Sequence, residues 1–166
     1  MKGPLFRLFR DDHRRLDALL GRATAAPGHV DLAAFADFRA GILRHIGMEE
    51  KVLIPAARRA RGGEALPIAA KLRVDHGAIA ALLVPTPTPA IVEDLRSLLG
   101  PHNRREEEDG GLYETCDYAV GEAEAERLVV ALRRFPEVPL NAYNDGPLAL
   151  ARAQETLALA RKQWER

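Results

Sequence analysis

Cysteine is almost missing from this chain: Cys116 is the only one in 166 residues. No disulfide can form within the chain, and the thiol content suits a reducing compartment. Aromatic residues amount to 5%, and alanine and leucine outweigh valine, isoleucine and threonine, which favours helix over sheet. There is no excess of charge of either sign. Lys plus Arg and Asp plus Glu both total 24, so the surface carries no electrostatic footprint for nucleic acid or for an anionic membrane. Long apolar runs are lacking too, and nothing approaches the length of a membrane span. Arginines interrupt the apolar residues of the first ten positions, so no signal-peptide core is expected there. These absences lead to the expectation of a cytoplasmic, mostly helical protein with neither a nucleic-acid nor a membrane partner.

What is present is a punctuated apolar pattern. Pro27-Gly28, Gly62-Gly63, Pro85 to Pro89 and Gly110-Gly111 divide residues 4 to 109 into four segments joined by short links. Within the segments, core-type residues recur in alternating steps of three and four: Phe6, Phe9, His13, Leu16, Leu20; then Phe35, Phe38, Ile42, His45, Glu49, Val52, Ala56; then Ala69, Leu72, His76, Ile79, Leu83; then Ile91, Leu95, Leu98, His102, Glu106. That period marks the buried seam of a helix, and strands would alternate every second residue. Asp31 is placed to cap the second helix and Gly62 to stop it. The fold expected is all-α, an up-down-up-down antiparallel four-helix bundle with additional C-terminal helices. The bundle is assigned to residues 1–118. Residues 119–166 form a helical extension: an amphipathic helix over 122–134, a proline-bearing stretch from Phe135 to Pro147, and a last helix with the apolar line Leu150, Ala153, Leu157, Ala160, Trp164. This extension packs on the bundle or closes a homodimer.

Four of the five histidines stand on the seams where leucine is expected. The pattern is also written twice. Asp12-His13 is matched by Asp75-His76, and His45-x-x-x-Glu49-Glu50 by His102-x-x-x-Glu106-Glu107. A four-residue step puts each His–Glu pair on one helix face, one turn apart. A bare carboxylate in a core costs several kcal/mol unless it is paired or bound to a cation, and no lysine or arginine shares these seams. Four imidazoles and two carboxylates exceed the needs of one tetrahedral zinc. Two metals bridged by both carboxylates, with two imidazoles each and an oxygen bridge from solvent, use all six groups: His13, His45, Glu49, His76, His102 and Glu106. A nitrogen and oxygen set without thiolate suits iron or manganese better than zinc. The four-residue step favours Glu106 over Glu107, a choice that a kink at Pro101, directly before His102, would change. His29 reads as an exposed loop residue. Glu50, Glu107 and Glu108 read as solvated outer-face charges. Asp12 and Asp75, one step off the seam, read first as surface residues, with a hydrogen bond to a histidine's second nitrogen as the alternative. Tyr113 and Tyr118 are candidates for the neighbourhood of the site, Cys116 reads as a plain thiol, and Gly47 and Gly77 are candidates for close packing.

Asp12-His13, His45-Ile-Gly-Met-Glu49-Glu50-Lys-Val-Leu-Ile-Pro55, Asp75-His76 and His102-Asn-Arg-Arg-Glu106-Glu107 together resemble the hemerythrin-like, HHE cation-binding family over residues 5 to 115. The resemblance implies a non-heme diiron site, and functions among reversible dioxygen binding, sensing of oxygen, iron or nitric oxide, and iron handling under stress. One departure bears on function. Oxygen-carrying hemerythrins have a His-x-x-x-His pair on the third helix, and here Leu72 stands one turn before His76. One iron thereby lacks a protein ligand, which argues against reversible oxygen carriage and leaves that metal more open.

Three functions compete: a module that binds or senses a small diatomic ligand through two oxo- or hydroxo-bridged iron ions, with manganese or zinc as substitutes; a diiron enzyme for peroxide breakdown, iron oxidation or nitric oxide reduction; and a single structural metal. The first is favoured, since no separate general base, hydride-donor site or phosphate loop is visible.

Overall fold

The computed structural model describes residues 2–165. Among them every regular element is helical: α1 (Pro4–Ala23), α2 (Leu32–Met48), a π-helical turn (Glu49–Leu53), α3 (Ile54–Ala60), α4 (Ala69–Leu82), α5 (Pro89–Glu107), α6 (Leu112–Val120), α7 (Glu122–Arg133) and α8 (Pro147–Gln163).

Local chemistry starts and stops these helices. Pro4, Pro89 and Pro147 occupy first-turn positions, where a missing N–H costs nothing. Asp31 caps α2 by accepting from the Ala34 N–H at 3.0 Å, as the sequence predicts, and Thr88 caps α5 in the same way through Ile91 at 3.2 Å. The second run ends where Gly62 takes the left-handed φ of 69°.

That second run departs from expectation inside. Its α-helical ladder widens at Glu49–Leu53, where the Ile54 N–H reaches back five residues to the Glu49 carbonyl. Pro55 supplies the reason: it has no N–H for an α-type bond to Lys51, so the ladder changes register just before it. The wider turn leaves Val52 half-buried, while Glu49 is fully buried. At the start of α5, Val92 rather than Ile91 takes the core position.

α1, α2 through α3, α4 and α5 form the bundle. Leu16 lies under Gly41 while Asp12 meets His45, so the first two helices run antiparallel. Thr24 meets Arg96 while His13 meets Glu107, so α1 and α5 do too. Two apolar cores fill the interior. One gathers Leu20, Phe35, Phe38, Ile79, Leu82 and Leu95, and the other gathers Leu5, Phe9, Leu53, Leu72, Leu112 and Leu132. The four seam histidines and their carboxylates form a polar layer on the same seams. Burying these apolar side chains, at roughly 25 cal/mol per Å², is what keeps that polar layer assembled and dry.

Two C-terminal features position the site. Gly110-Gly111 reverses the chain so tightly that a Cβ on Gly111 would lie 2.5 Å from the Arg105 carbonyl oxygen. α6 then returns to the start of α1, where Asp117 accepts from the Leu5 and Phe6 N–H groups at 3.0 and 2.9 Å and so caps α1 from outside its own chain segment. α8 runs along α4, burying Ala153, Leu157 and Ala160, while Leu150 at the start of its expected apolar line is exposed. Between α7 and α8 the chain is tied to α2: Arg44 donates to the carbonyls of Phe135 and Leu132, and Arg39 to that of Asn141. Of the two glycines expected to permit close packing, Gly47 does so against the ring of Phe135, whereas Gly77 faces open space.

Candidate metal centre

The six residues singled out from the seams meet in the middle of the bundle. His13, His45, Glu49 and Glu106 bring one ligand atom each into a cluster, Glu49, His76, His102 and Glu106 do the same in a second, and within each the atoms lie within 4.8 Å of one another. All six residues are buried, Glu49 and Glu106 completely. Each carboxylate divides its oxygens between the clusters. Glu49 Oε1 lies 3.2 Å from His45 Nε2, and its Oε2 lies 3.1 Å from His76 Nε2. Glu106 Oε2 lies 3.3 Å from His13 Nε2, and its Oε1 lies 3.1 Å from His102 Nε2. Glu106, and not Glu107, faces the clusters, because α5 continues through Pro101 to Glu107 with the four-residue step from His102 intact.

All four imidazoles point Nε2 inward and Nδ1 outward, and each Nδ1 meets an acid from a neighbouring helix. Asp12 on α1 faces His45 at 2.8 Å, and Glu50 beside α2 faces His76 at 2.8 Å. Asp75 on α4 faces His102 at 3.0 Å, and Glu107 on α5 faces His13 at 2.6 Å. The four bonds close a ring around the bundle, each helix orienting the histidine of the next. An acid on Nδ1 fixes the tautomer with the proton outside and the lone pair of Nε2 inside, which is how metal-ligating histidines are held. This overturns the surface reading of Asp12, Asp75, Glu50 and Glu107. Asp75 is fully buried, and it also accepts from Gln163 at 2.8 Å and from the Trp164 indole at 3.1 Å, so the end of α8 reaches the site. The sequence signal for these acids was their repetition: each stands one residue from a seam ligand, in both halves. Glu108, His29 and Tyr118 are exposed, the first two as expected.

Tyr113 is the residue whose place the sequence left open. It is fully buried. Its hydroxyl donates to Glu49 at 2.6 Å, lies 3.0 Å from Glu106, and stands 3.1 and 3.3 Å from Nε2 of His13 and His45. Phe9 stacks on its ring at 4.9 Å.

Electrostatics show how tightly the groups depend on one another. Burial alone would lower the imidazoles, but the carboxylates win. Glu106 and Glu107 raise His13 to about 10, and Glu106, Glu49 and Glu50 raise His76 to about 12. Glu106 and Asp75 raise His102 to about 9, and Glu49 and Asp12 raise His45 as well. Burial and the charge of Glu106 push Glu49 upward, yet His45 and His76 overcome both and hold it at about 2. Burial, then the charges of Glu106 and Glu49, push the Tyr113 phenol well above 10.0.

A cation fits this donor set. Glu49 Oε2, His76 Nε2 and Glu106 Oε1 are buried without a hydrogen-bond partner, and all three belong to the second cluster. His76 Nε2 is close to Glu49 Oε2, but the two are not aligned as donor and acceptor. Buried carboxylates converging on one point need positive charge among them; imidazole protons supply it in the metal-free protein, and a shared metal ion can take their place. The clusters contain nitrogen and oxygen only, and Cys116, buried on α6, belongs to neither.

Among the described residues, no helix is long and apolar enough to cross a membrane. No curated protein and no solved structure matches the chain. Among family models, the hemerythrin HHE cation binding domain matches residues 5–109, a span that holds all six clustered seam residues and the four acids that face the histidines. With well over half its length matched, and with that domain's histidines and glutamates gathered in one buried layer, the chain belongs to the hemerythrin HHE cation-binding family.

Proposed function

We propose that this protein is a non-heme diiron module that binds or senses a small diatomic ligand, or the iron and oxygen supply that such a ligand reports. The observation that carries the reading is the division of Glu49 and Glu106 between two donor clusters, each carboxylate offering one oxygen to each. Two carboxylates shared in this way bridge a pair of ions and have no comparable use around one.

The residues have distinct tasks. His13 and His45 would hold one ion, His76 and His102 the other, and Glu49 and Glu106 would join them. When bound, an iron pair supplies redox and Lewis-acid chemistry toward small ligands. The four outer acids would keep every Nδ1 protonated, so that the proton a metal displaces is the one on Nε2. Phe9, Leu72 and the two apolar cores exclude water from the layer. A cavity of about 260 Å³ reaches His13 between Leu16, Leu20, Phe38, Ile42 and Leu99, with the exposed charges of Asp17 and Arg96 beside it. That mostly apolar lining has room for a small uncharged molecule beside His13.

The test is the iron content of purified protein, followed by anaerobic addition of dioxygen or nitric oxide to the reduced form. Two irons per chain and a spectral response to either gas are expected. One zinc per chain, or none, would refute the diiron reading; two irons that respond to neither gas would reduce the centre to a structural role. Iron-dependent turnover of peroxide or nitric oxide, abolished in His76→Ala, would make it an enzyme instead.

A further inference from the structure

We infer that Tyr113 is a metal ligand, a seventh protein donor, on the ion held by His13 and His45. The inference rests on the metal-centre reading above and adds to it.

The hydroxyl oxygen of Tyr113 lies 2.6, 3.0, 3.1 and 3.3 Å from Glu49 Oε1, Glu106 Oε2, His13 Nε2 and His45 Nε2. Ligands about 2.1 Å from an octahedral ion lie about 3 Å from each of their four neighbours. The oxygen therefore stands at the spacing of a vertex, with the four other donors as its neighbours. Two edges of the square beneath it have matching lengths, 3.3 Å from His13 to Glu106 and 3.2 Å from His45 to Glu49.

In the metal-free protein the imidazole protons of His13 and His45 can serve this oxygen, and the placement becomes informative once metal displaces them. A phenol has one proton to donate, and Glu49 takes it. With the Nε2 protons displaced, the outer acids keep the remaining imidazole protons on Nδ1, and three further acceptors face the same oxygen. A cation under the square satisfies all five atoms at once; the phenol proton then leaves to solvent and the oxygen binds as phenolate. The position is also mechanically fixed. The Gly110-Gly111 reversal, the Asp117 cap on α1 and the Phe9 stack hold α6 and the ring where they are. The second cluster has no such oxygen, and its Glu49 Oε2, His76 Nε2 and Glu106 Oε1 are the unpartnered ones. The two ions are thus unequal: five protein donors on one, four on the other. An anionic oxygen also favours the ferric over the ferrous state of the ion it binds.

Iron-loaded, air-oxidised protein provides the test. Bound phenolate gives ferric iron a visible charge-transfer band, and resonance Raman excitation within that band shows tyrosinate ring modes. The chain has three tyrosines. The double variant Tyr118→Phe/Tyr143→Phe, with Tyr113 as the sole tyrosine, should keep the band and the modes. Tyr113→Phe should keep its iron, lose both signals and show a higher reduction potential. Wild-type protein holding two irons without tyrosinate modes would overturn the assignment while leaving the diiron reading intact, as would modes lost in the double variant. Wild-type protein that takes up no stoichiometric metal would overturn both. The double variant decides the matter even where Tyr113→Phe fails to fold.

Discussion

Asp75 joins the second cluster to the end of α8, and replacing it separates two effects. Its Oδ2 accepts from His102 Nδ1 at 3.0 Å, its Oδ1 from Gln163 at 2.8 Å, and the Trp164 indole lies 3.1 Å from both oxygens. In Asp75→Ala, buried His102 loses its acceptor, while Gln163 and Trp164, both part-buried, can turn to water. An unsatisfied buried donor costs about 1–3 kcal/mol. One such donor puts the loss near 2 kcal/mol, a lowering of the metal-free melting temperature by about 6 °C for a chain of this size. His102 also loses the group that fixes its tautomer, and such losses cost about 10- to 100-fold in metal affinity, or about 1.4–2.7 kcal/mol. Asp75→Asn retains an oxygen toward His102 and should fall at the mild end of both ranges. Trp164 is the only tryptophan, so its emission in a chelator competition reads the site directly and should change when metal enters. If Asp75→Ala binds metal as the wild type does, the idea that the outer acids orient the ligands is wrong.

Other perturbations test neighbouring links. Glu49→Gln keeps one oxygen and loses the second, so the protein should retain at most one ion per chain by elemental analysis; two ions with native circular dichroism would refute the bridging role. In the metal-free protein His13, His76 and His102 sit above the free-imidazole value of 6.5, at about 9 to 12, so their contribution to stability is complete below pH 6.5 and declines as pH climbs through that range. Glu49, depressed from 4.5 to about 2, contributes above pH 4.5 and loses its contribution as pH falls toward 2. Denaturant midpoints of metal-free protein should therefore be highest between about pH 4.5 and 6.5. Metal must displace the same imidazole protons, so affinity in chelator competition should rise with pH above that window. Gly111→Ala places a Cβ 2.5 Å from a carbonyl oxygen and should cost about 1–3 kcal/mol, whereas Gly77→Ala, in open space within α4, should stabilise by about 0.5–1 kcal/mol. Equal melting temperatures for the two variants would contradict the close approach at Gly111.

Much of this protein can be read from its residues in order. The three–four spacing declares helices, the prolines and glycines declare where they turn, and histidine or glutamate in place of leucine declares a polar layer inside a core. These features are local, or repeat with the period of one helix, so a single chain displays them. The His-x-x-x-Glu step favoured Glu106 without excluding Glu107, and it is the helix keeping its period through Pro101 that turns Glu106 toward the clusters. What the sequence alone could not decide depends on contacts between helices. Asp12, Asp75, Glu50 and Glu107 lie off their own seams and look solvated by periodicity, and only packing shows that each faces the histidine of an adjacent helix. The widened turn at Glu49 follows from Pro55, but which side chains it buries depends on what lies opposite. Tyr113 belongs to a short helix beyond the bundle, and no spacing within that helix points to the site. Its hydroxyl reaches the donors because a glycine reversal folds α6 back and Asp117 anchors it to a helix start more than a hundred residues earlier, a coincidence in space that no periodicity along the chain encodes.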